Sequence, residues 1–222
     1  MNGELIIQEE RGIRNLVAAE VLKDTIEEFV CDTPFPVAGI STLTRTTSNS
    51  SESHYYDNEP KIVIAATGAD EVSIDTSAIE NSIYAKITGQ HYDESLGMLV
   101  EGERDDKYFA IGYITEKNDG TEIFVWRLKG KFGIPDSTHN TKTDGTEANG
   151  QSLTYTGVNT IHKFNSTEKS AKAINVNTKI NPWDESEFFE AVQTPDTIKE
   201  HSTNSGTDTG ETGTDTEEPE TP

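Results

Sequence analysis

Two apolar runs decide the fold: Tyr108-Phe109-Ala110-Ile111-Gly112-Tyr113-Ile114 and Ile123-Phe124-Val125-Trp126-Arg127-Leu128-Lys129-Gly130-Lys131-Phe132. At strand spacing, Tyr108, Ala110, Gly112 and Ile114 share one face, and Phe109, Ile111 and Tyr113 share the other. In the second run Ile123 and Val125 oppose Phe124, Trp126 and Leu128. Between the runs, Glu116-Lys117-Asn118-Asp119-Gly120 holds the Asn/Asp/Gly chemistry that supplies positive φ in hairpin turns. A half-exposed antiparallel strand alternates apolar with polar residues. These two do not, so both faces of the hairpin need a cover. In a chain this polar, a second copy is the expected source of one of them.

Working outward, the rest of the chain reads as mainly β. Ile13 to Leu22, Pro36 to Thr46 and Pro60 to Thr67 are β-rich runs separated by turn-forming clusters. Val72 and Ile74 alternate with Glu71, Ser73 and Asp75, as in a strand with one wet face. Ser152 to Phe164 changes parity at Gly157, where a β-bulge is expected. Ile174, Val176 and Ile180 mark a further strand. Ser77-Ala78-Ile79-Glu80 reads as a capping box opening a helix of about three turns that stops at Gly89. A second, short helix follows the cap Asp184 and carries Phe188, Phe189 and Val192.

The segment from Thr44 to Lys61 reads as a long inter-strand loop tipped by Tyr55, Tyr56 and Asp57. Its tyrosines either anchor an interface or fold back on their own sheet. Arg127, Lys129 and Lys131 fall at alternate positions and form a basic stripe on one strand face. The stripe meets solvent or an acidic edge on a neighbouring copy.

Composition sets outer limits. Of 222 residues, 32% are apolar, about 40% with glycine, below the 45–50% of ordinary domains. Residues 202–222 contain no aliphatic, aromatic, Met or Cys side chain, so a disordered acidic tail is expected over 201–222, after an extension over 1–11 and a β domain over 12–200. The tail's six acids account for six of the 22 net negative charges, leaving −16 on the remainder. Such acidity argues against a surface that grips nucleic acid through phosphate neutralisation. It suits either a surface to which DNA must not adhere or an abundant protein kept soluble.

The single Cys31 has no internal partner and suits a reducing compartment. Met1 to Leu5 shows no basic-then-apolar pattern, so no secretory signal is expected, and no apolar run approaches the ~20 residues of a membrane span. Asn49-Ser50-Ser51 and Asn165-Ser166-Thr167 match the glycosylation pattern without a secretory context.

No catalytic signature is legible. Gly130-Lys131 lacks the upstream glycine of a phosphate loop, and no Gly-x-Ser-x-Gly elbow occurs. His54, His91, His139, His162 and His201 are scattered, without a metal-gripping pair. Asp105/Asp106 and Glu27/Glu28 are adjacent and would point to opposite strand faces. No catalytic residue, cofactor or metal is expected.

Several motifs in order carry a resemblance. They are Gly12-Ile13-Arg14-Asn15-Leu16-Val17-Ala18-Ala19, Asp32-Thr33-Pro34, Val37-Ala38-Gly39-Ile40, Tyr55-Tyr56-Asp57-Asn58, the two runs above, and Asn181-Pro182-Trp183 with Phe188-Phe189. Over residues 12–195 the chain resembles the major tail, or tail tube, proteins of long-tailed bacteriophages with non-contractile tails. That resemblance implies a β-sandwich- or barrel-like tail tube fold with one flanking helix. It also implies six copies in a ring, rings stacked into a virion tube that conducts DNA, and assembly in the host cytoplasm. The implied partners are the chain itself and the tape measure and tail terminator proteins; DNA passes without specific binding, and no membrane is involved. Ring closure and stacking are expected to use Tyr55, Tyr56, Asp57, Arg127, Lys129, Lys131, Trp183 and Phe188. An acidic bore would repel phosphates over about one Debye length, ~8 Å. Two other readings remain: a monomeric β-sandwich binding carbohydrate or another surface polymer through Tyr55 and Tyr56, and the tube of a contractile tail or secretion apparatus.

Overall fold

The computed structural model describes residues 7–138 and 150–201. The expected disordered tail therefore lies, apart from His201, outside the described residues. In chain order the elements are β1 (Glu10–Asp24), β2 (Phe29–Cys31), β3 (Phe35–Ala38), β4 (Ile40–Tyr56), β5 (Glu59–Thr76), α1 (Asn81–Thr88), β6 (His91–Asp93) and β7 (Met98–Val100). There follow β8 (Phe109–Lys117), β9 (Glu122–Phe132), β10 (Asp136–Ser137), β11 (Gln151–Gly157), β12 (Ala173–Asn177) and α2 (Glu185–Glu190). The fold is mainly β.

One antiparallel sheet runs β2-β1-β8-β9-β11-β5-β4, with β3 on β1, β12 on β9 and β10 on β11. Because β3 pairs with β1 and passes through Gly39 into β4, the far edge of the sheet returns towards its start. The sheet is thereby curled into a barrel-like form. Two bulges bend β1 where it pairs with β8, and Gly12 (φ 82°) and Asn15 (φ 58°) supply the left-handed backbone they need.

The curled sheet has a core on each face. Inside, Leu16, Phe109, Ile111, Phe132, Tyr155 and Ile74 pack with Ile79, Tyr84 and Ile87 from the α1 region. Outside, Ala110, Ile114, Phe124, Trp126 and Leu128 pack beneath Trp183, Phe188 and Phe189. As far as Leu128 the faces of the β8–β9 hairpin are those the sequence predicts. The cover is not. Both faces are sealed by the chain's own side chains, which overturns the expectation that a second copy supplies one lid. The missing cover is the short helix α2 with its flanking Trp183: five aromatics meet there, neighbouring ring centroids lie 5.0–5.6 Å apart, and the Trp126 indole N–H reaches the Phe188 carbonyl. Each fully buried side chain of this size contributes about 1.5–3 kcal/mol, so a six-residue helix covers the ribbon effectively.

Some local expectations need correction. Ser77 does not cap α1; its hydroxyl accepts from Gly39 N–H, Glu80 occupies the cap position without a side-chain bond, and the helix has about two turns. Gly89 does end it, at φ 71°. At α2, Asp184 accepts from Ser186 N–H as expected. The Ser152–Phe164 run is a strand only to Gly157, with Phe164 in a separate bridge to Lys169. Ile180 lies beyond β12 and is exposed.

Candidate functional site

The segment expected as a long loop is strand to its tip. β4 and β5 remain paired from Ile40↔Thr76 out to Tyr56↔Glu59, closing on a two-residue turn. Asp57 (φ 55°) and Asn58 (φ 66°) both adopt the left-handed conformation that such a turn demands and that Asp and Asn tolerate. Only the proximal half of this hairpin belongs to the barrel. In β5, Asp70, Val72, Ile74 and Thr76 are buried in alternation, whereas every residue from Glu59 to Gly68 is exposed. The change coincides with a register shift between Thr47↔Asp70 and Asn49↔Thr67, where β5 carries one extra residue. Beyond it the ribbon projects as an arm of about 25 Å at the usual rise per residue.

The arm is asymmetric in chemistry. Its β4 strand is hydroxyl-rich, but its β5 strand reads Ile62-Val63-Ile64-Ala65-Ala66, apolar at both parities. Val63 is 62% exposed and Ile64 56%. Since β11 pairs with β5 only over Asp70–Thr76, the outer edge of β5 from Glu59 to Ala69 has no strand partner among the described residues. An apolar, unpaired edge of this length is a template for another strand or another surface. Tyr55 (67% exposed) and Tyr56 (55%) stand beside the turn and do not fold back on the sheet.

The base of the arm is fixed by charge. Asp70 accepts from Arg127 Nη1 at 2.9 Å, Lys172 Nζ at 3.2 Å and the Thr47 hydroxyl at 2.9 Å, and Arg45 lies 3.9 Å away. Lys172 also bonds the Gly68 carbonyl at the register shift. Burial alone would raise the Asp70 pKa. The Thr47 hydroxyl and the two bonded cations outweigh it and hold the carboxyl below its usual range. Between this base and the inner side of β8, β9 and β12 lies a cleft of about 1240 Å³, with the nearly buried Tyr113, Val125 and Arg127 among its walls.

The other expected interface residues are engaged internally. The basic stripe is broken by a bulge: Leu128 and Lys129 together oppose Ala110, so strand parity inverts after Leu128. Arg127 faces the Asp70 side. Lys129 and Lys131 lie on the opposite face, 4.6 and 4.4 Å from the Tyr108 ring centre, and pair with Asp24 and Asp106 at 2.5 Å. Asp24 also accepts from the N–H groups of Ile161 and His162, which with Lys129 overcome the raising effect of burial and lower its pKa. Trp183 and Phe188 are core residues, the latter with no exposed surface. Cys31, near Asp24, has its thiol pushed up to about 12, chiefly by burial. No helix of the described residues is long and apolar enough to cross a membrane.

Tyr55, Tyr56 and Asp57 are thus the expected site residues that lie together on the surface. Sequence reasoning missed Ile62 to Ala66, although the criterion that singled out the β8–β9 hairpin, apolar residues on both faces, applies equally to them. No protein-family model matches the chain, and no curated protein matches it.

Proposed function

We propose that this chain is a self-assembling structural protein whose copies close into rings, six to a ring, that stack into a phage tail tube for DNA ejection. The observation supporting it is the arm: an apolar strand, bare on both faces and along one edge, on a protein of net charge −22. A monomer gains nothing from exposing such a strand, whereas contact with another copy removes it from water. Each copy offers one arm and must receive one, a head-to-tail contact that closes a ring or extends a filament. Tape measure and terminator proteins are the further partners of such a tube, and neither cofactor nor membrane enters the proposal.

A second reading is favoured by the exposed Tyr55 and Tyr56, which would equally suit a monomeric module binding carbohydrate or another surface polymer. Negative-stain electron microscopy of the purified full chain tests both. Rings or tubes with a regular axial repeat are expected; a monodisperse monomer by light scattering at millimolar concentration would rule assembly out.

A further inference from the structure

The cleft at the arm's base is electropositive in a strongly acidic protein. Four cations line it, Arg45, Lys117, Arg127 and Lys172, against Glu10 and Asp70, an excess of two positive charges. Asp70 alone is bonded or approached by three of them, so its charge is more than compensated. At about 1240 Å³ the cleft exceeds the roughly 300–1,000 Å³ of small-molecule sites. Ile13, Val125 and Tyr113 supply apolar wall. The occupant should therefore be a polypeptide segment that brings both negative charge and apolar surface.

We propose, resting on the self-assembly reading, that the cleft receives the arm tip of a second copy. The arm, residues 48–68, carries Glu52, Asp57 and Glu59 against Lys61, a net charge of −2 that matches the cleft's excess. Tyr55 and Tyr56 beside the turn offer the apolar bodies and polar tips that such a mixed wall accepts. A copy does not fill its own cleft. Thr47 and Thr67 at the arm's root line it, and the ladder stays paired out to the turn, so the tip is carried away from that root. The acidic segment 202–222 matches in charge but holds no apolar side chain for the walls. It also departs from His201, which stacks on Trp183 at 4.2 Å, beside the core on the other face of the sheet.

Two full-length variants test the contact by light scattering. The cleft variant Arg45→Glu/Lys117→Glu keeps its arm, and the arm variant Glu52→Lys/Glu59→Lys keeps its cleft; Arg45, Glu52 and Glu59 are exposed and Lys117 is half-buried, and a cooperative thermal transition above the assay temperature establishes that both variants fold. Each alone should need about tenfold more protein to associate than the wild type, an effect of the size that charge reversal produces at interfaces. Mixed one to one, they should associate where neither does alone, because one intact arm meets one intact cleft. A chain ending at His201 should associate like the wild type. The proposal is overturned if either variant associates normally, if the mixture gains nothing, or if removing residues 202–222 reproduces the cleft variant's loss. Wild-type tubes alongside any of these results would leave self-assembly standing and remove only the arm-in-cleft contact; a wild type that never associates removes both.

Discussion

The Phe189 ring rests on the backbone of Gly112 so closely that a Cβ built there falls 2.8 Å from Phe189 Cε1, and 2.9 Å from Val17 Cγ2. This contact lets α2 press flat against β8. Alanine would improve strand propensity at Gly112 by about 0.5–1 kcal/mol but overpack the site by about 1–3 kcal/mol, so Gly112→Ala should be net destabilising. A urea midpoint at or above the wild-type value would show that Phe189 does not cover this strand.

Asp70 should govern part of the response to acid. Its folded pKa lies below the unfolded value of about 3.9, so its stabilising contribution is complete above pH ~4 and is lost as pH falls through the folded pKa. Asp70→Asn removes one partner of the buried pair with Arg127 and should cost about 3–5 kcal/mol near neutral pH. Measured at pH 6 and pH 2.5, the variant should lose less stability between the two than the wild type does. An equal loss would mean that the carboxyl titrates normally.

Val63→Lys places a charge on the bare apolar strand of the arm. Away from any packed contact, it should alter unfolding free energy by less than about 0.5 kcal/mol while suppressing self-association. Sedimentation profiles of variant and wild type, compared at the same concentration, decide the matter; identical association would take this strand out of the interface.

Tyr56→Ala shortens one of the two aromatic side chains beside the turn. The monomer should keep its thermal midpoint, and ring closure or stacking should be impaired in electron micrographs. Normal tubes from this variant would exclude Tyr56 from the contact.

Strand positions of the β8–β9 hairpin, and its faces as far as Leu128, were legible because period-2 patterning is a local property, as were Gly89 and Asp184 at the helix ends. What covers the hairpin was not legible. Phe188 and Phe189 lie more than 50 residues away, and a short apolar stretch does not announce which face it will meet. The basic stripe failed for a sharper reason: one extra residue at Leu128–Lys129 inverts the faces, and no glycine or proline marks those two positions. At the candidate site, Tyr55, Tyr56 and Asp57 were visible as aromatics in a polar segment. Ile62 to Ala66 were visible only as one more β run, since exposure on both faces depends on how far β11 extends alongside β5. Asp70 gave no signal, because its partners Arg127 and Lys172 come from other strands and loops.

The protonated thiol of Cys31 makes a native-state clock. Only a thiolate reacts readily with alkylating reagents, and a thiol held near 12 is almost wholly unreactive at neutral pH while β2 stays in place. Each modification event therefore records a moment when the edge of the sheet peels away. Rates of labelling, read by mass across a range of protein concentrations, would report whether association of copies clamps that edge shut.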